Sequence, residues 1–251
     1  MLLFYLILQL NLFLIENMNV VEHYKAIGIT TMEILDKSLQ DEDIDLLSSN
    51  HSFIFDFSLW LDVLKDRPEI SIFQNAIKEY QMSMLSNNIG LYQQAFMGLR
   101  FFLERTLVAI FFSANEIELN LWKLGERDTY WSELIDDEKG IFSSKFCRAF
   151  FPELKDEIKH FSAITKKVYR ECSEYVHGNQ SILNKIPNDL GYSVDVFHEW
   201  NNKADTIKRI ILFTFCLRYL KSLQNEGISK VETSLSEEFK TLMPIIEIIT
   251  R

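Results

Sequence analysis

Turn-forming residues are scarce in this chain, with eight glycines and four prolines among 251 residues. A many-stranded β fold punctuates its sequence more often, so the shortage favours long helices. Cysteine is scarce too. Cys147, Cys172 and Cys216 are an odd set with no C-x-x-C pair, which excludes a disulfide framework and points to a reducing cytoplasm. The five histidines, His23, His51, His160, His177 and His198, are scattered singly and lack zinc-ligand spacing. No metal and no cofactor is assigned. An excess of basic residues is also absent, since 26 Lys and Arg stand against 36 Asp and Glu, a formal charge of −10. Phosphate contacts need positive surface, which excludes a general nucleic-acid coat protein. There is no glycine-rich phosphate loop, no G-x-S-x-G elbow and no H-E-x-x-H, so the common nucleotide, hydrolase and metalloprotease motifs are excluded.

What is present is apolar and aromatic. Hydrophobic residues make up 47% of the chain and aromatic ones 13%, enough for one substantial core and no demand for two independent domains. The run Leu2 to Ile15 is nearly all apolar, but it carries Gln9 and Asn11 and has no Lys or Arg before it. A membrane span needs about 20 apolar residues, and a signal peptide wants a basic start, so neither fits. The run is therefore an artefact of start-site choice, a helix packed on the core, or a weak membrane anchor, and a start at Met18 is the expectation. The chain divides into this run (1–17), an N-terminal helical and aromatic segment (18–69), a helical domain (70–225) and a helical tail (226–251).

Periodicity marks the helices. Val20, Tyr24, Ile27, Met32 and Leu35 predict one from Asn19 to about Asp45, ending in the acidic turn Asp41-Glu42-Asp43. Ser52 to Leu61 alternates Phe53, Phe55, Phe57, Leu59 and Leu61 against Asp56 and Ser58, and reads as a strand or an irregular aromatic segment. Phe73, Ile77, Tyr80 and Met84 mark a helix that ends near Asn88. Asn88 to about Leu124 reads as one central helix, apolar on every side between Thr106 and Phe112 and hence buried. Tyr130 to Phe151 reads as loops and short helices, and Gln180 to Tyr192 as a loop. The last long helix is expected from Asp195 to Leu223, and a shorter one from Ser236 to Met243, stopped by Pro244.

The most informative stretch is Arg170-Glu-Cys-Ser-Glu-Tyr-Val-His177-Gly178, at the end of a strongly patterned helix. Leu154, Ile158, Phe161, Val168 and Cys172 supply its apolar face on one side. Arg170 and His177 share the other. Seven steps of about 100° leave their side chains within about 20° of each other and roughly 10 Å apart along the axis, with Ser173 and Glu174 between. Gly178 and Asn179 are the left-handed residues that end helices, which puts His177 in the last turn, where the carbonyls favour a cation. From Lys145 to Arg170 seven basic residues stand against three acidic ones, a net of +4 in an acidic protein. That suits a focused anion site, as it would a solvated charged face.

Arg170 and His177, with six residues between them, resemble the R-x(4–6)-H signature of the HEPN superfamily of higher eukaryote and prokaryote nucleotide-binding domains. The segment Gly98-Leu-Arg100-Phe-Phe-Leu-Glu104 looks like the "LR…LE" pattern of several HEPN-like families. The resemblance covers about Ile70 to Leu223. It departs at Glu171, where many catalytic members carry a polar residue, often asparagine. The family likeness implies an all-α fold, an antiparallel helical bundle with extra N- and C-terminal helices here. It also implies metal-independent RNA cleavage at a composite site made by two motifs across a dimer. His177 is the expected proton carrier and Arg170 the phosphate-binding cation. Ser173 and Glu174 would orient them, Tyr175, Asn179 and Lys166 would contact RNA, and Arg100 and Glu104 would lie near the motif helix. The bland alternative pairs Arg170 with Glu174 and lets His177 cap the helix.

Three functions follow as expectations. The first is a cytoplasmic endoribonuclease acting on single-stranded RNA as a toxin or antiphage effector, a homodimer or a heteromer with a regulatory protein. The second is a noncatalytic HEPN-like module that binds a nucleotide or a protein. The third, carried only by Leu2 to Ile15, is a membrane-associated accessory protein, and a membrane partner is the least expected of these.

Overall fold

The computed structural model describes residues 19–40 and 44–250. Leu2 to Ile15, Met18 and the turn Asp41-Glu42-Asp43 lie outside the described residues. Among the described residues the chain is all helix with no strand, and twelve α-helices run in order: α1 (Val20–Leu39), α2 (Ile44–Val63), α3 (Ile70–Asn88), α4 (Tyr92–Ser113), α5 (Glu116–Lys123), α6 (Trp131–Leu134), α7 (Ser144–Phe150), α8 (Ile158–His177), α9 (Gln180–Leu183), α10 (Val194–Tyr219), α11 (Asn225–Glu238) and α12 (Met243–Ile249). Single 3₁₀ turns at Pro152–Leu154 and Leu220–Ser222 precede α8 and follow α10.

α4 is the hub. It packs on α3, α8 and α10, and α10 in turn carries α2 and α8. The closest approach is between α3 and α4, where a Cβ added at Gly98 would lie 2.9 Å from the Cβ of Ser83. Glycine is needed there. The Ser83 hydroxyl then donates to the Ala95 carbonyl at 2.6 Å, which satisfies a polar group in the buried seam. Around this seam Phe53, Phe57, Phe73, Phe102 and Phe215 meet edge-on or tilted at 5.2–6.3 Å between ring centroids. One hydrophobic cluster extends from Leu47 through Leu235, Phe239 and Ile249, so α11 and α12 share the same core.

Four local expectations change. Ser52 to Leu61 lies within α2 and is neither strand nor irregular. Phe53, Phe57 and Trp60, spaced four and three apart, face the core, while Phe55 is 66% exposed. Ile54, Leu59 and Leu61 also bury part of their surface because α2 is flanked by α3, α10 and α11, and with the exposed Phe55 they mask the helical period. The central helix is broken in two. α4 stops at Ser113, whose carbonyl accepts from Arg218 at 2.8 Å, and the Asn115 side-chain amide donates to Phe111 O at 2.8 Å, ending one helix before α5 begins. Finally, Pro244 opens α12 rather than closing a helix. In a first turn its missing N–H costs nothing, and Asn225–Glu238 forms the preceding helix instead. The expected loop after the motif also contains the short α9.

Candidate functional site

α8 forms because Ile158, Phe161, Thr165, Val168, Cys172 and Tyr175 recur every three or four residues and are all buried. Phe161 stacks on Phe213 of α10 at 3.6 Å between centroids, and Tyr175 stacks on Phe96 of α4 at 3.6 Å. The helix is thus clamped between two neighbours along its length. It ends at Gly178, φ 66°, in the left-handed region, and the Gly178 N–H donates to Glu174 O at 3.1 Å. Asn179 does not share that conformation, having φ −57°, and instead leads into α9.

On the opposite side of α8, Arg170 and His177 are both exposed. Neither side chain makes a hydrogen bond or ion pair among the described residues. The bland pairing of Arg170 with Glu174 is therefore not formed, and His177 caps no carbonyl there. A cation and an imidazole stand free on one stripe beside the end of a helix whose core face is satisfied elsewhere.

The anion that interrupts the motif is neutralised. Lys203 of α10 donates to Glu171 Oε2 at 2.9 Å, and Lys167 lies 3.8 Å from Oε1. Lys203 also sits 3.5 Å from Glu199, which accepts from Lys185 at 3.1 Å and from the Tyr175 hydroxyl at 2.8 Å. Burial alone would lower the Lys203 pKa, but Glu171 and Glu199 outweigh it and hold the ammonium above its ordinary value. Burial works against the Glu199 carboxylate as well, yet the Tyr175 hydrogen bond and the two lysines keep its pKa below the ordinary value. Burial pushes the Tyr175 phenol up and the Cys172 thiol up to about 12. These groups are fixed in one charge state near neutrality. They build a frame and do not exchange protons.

The remaining expected residues divide by what they touch. Tyr175 lies inside, its ring on Phe96 and its hydroxyl on Glu199, so it is placed to position the last turn and not to contact RNA. Ser173 donates to Tyr169 O at 2.7 Å within the helix and does not reach Arg170 or His177. Glu174 is half-buried between them, Asn179 is exposed, and Lys166 pairs with Asp137 at 3.0 Å. Arg100 and Glu104 do reach the motif helix, but at Tyr169. The Arg100 guanidinium donates to the Tyr169 hydroxyl at 2.6 Å, lies 4.6 Å above its ring, and sits 3.9 Å from Glu104. Trp131 of α6 stacks on the same ring at 3.5 Å. This clamp fixes the backbone of the residue that precedes Arg170.

Lys203, Glu199, Tyr169 and Trp131 were not expected at the site. Glu199 and Lys203 stand four apart and read in sequence as an ordinary intrahelical pair. Among the described residues no group of three or more His, Cys, Asp or Glu side chains is arranged to hold a metal ion, and no helix is long and apolar enough to cross a membrane. Comparison with protein-family models, with curated proteins and with solved structures found no match.

Proposed function

We propose that the chain is a metal-independent endoribonuclease with a HEPN-like helical bundle, acting on single-stranded RNA as a toxin or antiphage effector. The observation that carries this reading is the placement of Arg170 and His177: both exposed, on one stripe, without partners among the described residues, at an end fixed by Gly178, Tyr175 and Glu199. Lys203 and Lys167 offset the Glu171 charge beside Arg170, which supports a phosphate there.

The chemistry asks for little more. A ribose 2′-hydroxyl attacks the adjacent phosphorus, its proton passes to an imidazole, and a new 2′-O–P bond forms as the P–O5′ bond breaks. The leaving 5′-oxygen takes a proton from a second acid, leaving a cyclic phosphate and a 5′-hydroxyl. Imidazole is the side chain suited to both transfers near neutral pH. Arg170 stabilises the negative charge that grows on the phosphoryl oxygens, its planar guanidinium matching two of them. Each motif offers one imidazole. A base and an acid at the same phosphate therefore call for two motifs, from two copies or from a related helical partner, with their stripes facing across a shared cleft.

Purified protein incubated with a single-stranded RNA oligonucleotide and excess chelator tests the reading. The expected products end in cyclic phosphate and 5′-hydroxyl. Binding of RNA or a nucleotide without cleavage would instead support a noncatalytic module.

A further inference from the structure

α1 is the least supported long helix of the fold. Only Ile34 and Ser38 on it are buried, and its main neighbour is α3. Helices in proteins draw most of their stability from packing a face against a neighbour, and α1 packs little of its surface within the described chain. Its sequence offers a further face. Val21, Gly28, Met32 and Leu39 recur at intervals of seven, four and seven residues, within about 40° of one another around the axis. Val21, Met32 and Leu39 are 58%, 57% and 49% exposed. A Cβ added at Gly28 would meet nothing within 4 Å. Glycine inside a helix costs about 1 kcal/mol relative to alanine, and nothing within the described chain requires it at that position.

We propose that this stripe is a contact between two copies of the chain, α1 packing antiparallel on α1 about a two-fold axis level with Thr30, which itself lies on the far side of the helix. The stripe is symmetric about that residue. Val21 of one copy then lies opposite Leu39 of the other, and Gly28 opposite Met32, a gap facing a long flexible side chain. The charges agree with the same axis. Lys25 and Asp36 share one flank, and a two-fold at Thr30 sets each Lys25 against the other copy's Asp36, twice over. Ile29, 62% exposed on that flank, meets its own symmetry mate. Tyr24, 68% exposed on the other flank, falls against Leu35. A parallel arrangement would set Met32 against Met32 and Gly28 against Gly28, and would leave Lys25 and Asp36 of the two copies about 16 Å apart along the axis. An anionic bilayer is a poorer occupant, since Glu22, Glu33 and Asp36 outnumber Lys25 and Lys37 on this helix.

The pairing is read from α1 alone, and its test uses no RNA: a chain that associates but whose mass Met32→Asp leaves unchanged overturns the α1 contact and leaves the ribonuclease reading standing, whereas a monomeric wild-type chain also removes the two-copy site. Light scattering on the full chain should show an assembly whose molar mass falls in Met32→Asp and in Lys25→Glu. The double variant Lys25→Glu/Asp36→Lys should restore it. Cys147, Cys172 and Cys216 are buried, so a thiol added on α1 reports alone. Ile29→Cys should oxidise to a covalent two-chain species, whereas Val21→Cys should not, its two copies lying about 27 Å apart along the axis. A monomeric wild-type chain, a mass that Met32→Asp leaves unchanged, a charge reversal that fails to restore association, or equal cross-linking at the two positions overturns the proposal.

Discussion

Replacing Lys203 with methionine isolates the frame beneath the motif. The side chain is 14% exposed and holds Glu171 at 2.9 Å and Glu199 at 3.5 Å, so the thioether would fill most of its volume while leaving two carboxylates short of a cation. Removing one partner of a fully buried pair costs about 3–5 kcal/mol. Here Glu171 and Glu199 are 29% and 28% exposed and keep Lys167 and Lys185, so solvent screening reduces the expected loss to about 1–2 kcal/mol. For a chain of this size that is about 2–8 °C in Tm. The pH dependence gives the sharper check. Glu199 titrates below its ordinary value, so its contribution is present above the unfolded carboxylate pKa of 4.5 and is lost as pH falls through the folded value. Lys203 titrates above its ordinary value of 10.5, so its contribution is lost only as pH rises past that. The deficit of Lys203→Met should therefore be flat from about pH 6 to 9 and shrink below about pH 4.5, as the stranded Glu199 protonates. Urea denaturation followed by circular dichroism at a series of pH values measures it. An unchanged midpoint at pH 7, or a deficit that grows on acidification, would show that Lys203 does not hold the two carboxylates.

Gly178→Val places a β-branched residue at φ 66° and should cost at least about 1–2 kcal/mol, while Gly178→Asn should cost much less; thermal melts of the two variants separate backbone strain from lost contacts. Phe215→Ala empties the centre of the aromatic core and should cost about 3–5 kcal/mol in urea denaturation, with a loss under about 1 kcal/mol contradicting the packing described. Cys147, Cys172 and Cys216 are buried, and burial raises the thiol pKa of each, so a maleimide at about pH 7.5 should label the native chain only at its unfolding rate; labelling within seconds would contradict their burial.

The motif helix was the most legible part of the fold, because its apolar and polar faces are cleanly separated and Gly178 marks its end. Tyr175 shows what the same pattern could have yielded. It stands three residues after Cys172 and seven after Val168, on the buried stripe, yet its place beside the motif suggested RNA contact. α2 was obscure for the opposite reason: packed on several sides, it carries apolar residues that mask the helical period. The break after Ser113 depends on Arg218, 105 residues away, and the neutralisation of Glu171 on Lys203, 32 residues away. Such contacts arise from how helices pack, and local periodicity carries no trace of them.

Whether Arg170 and His177 act on RNA from one exposed stripe is decided by timing the cleavage of a labelled single-stranded RNA by the wild-type chain, His177→Ala and Arg170→Ala, each confirmed folded by circular dichroism. Both side chains lie off the core, so both variants should melt within about 1 kcal/mol of wild type while cleavage falls by roughly 10²–10⁴-fold. Cleavage undiminished in both folded variants would contradict the account.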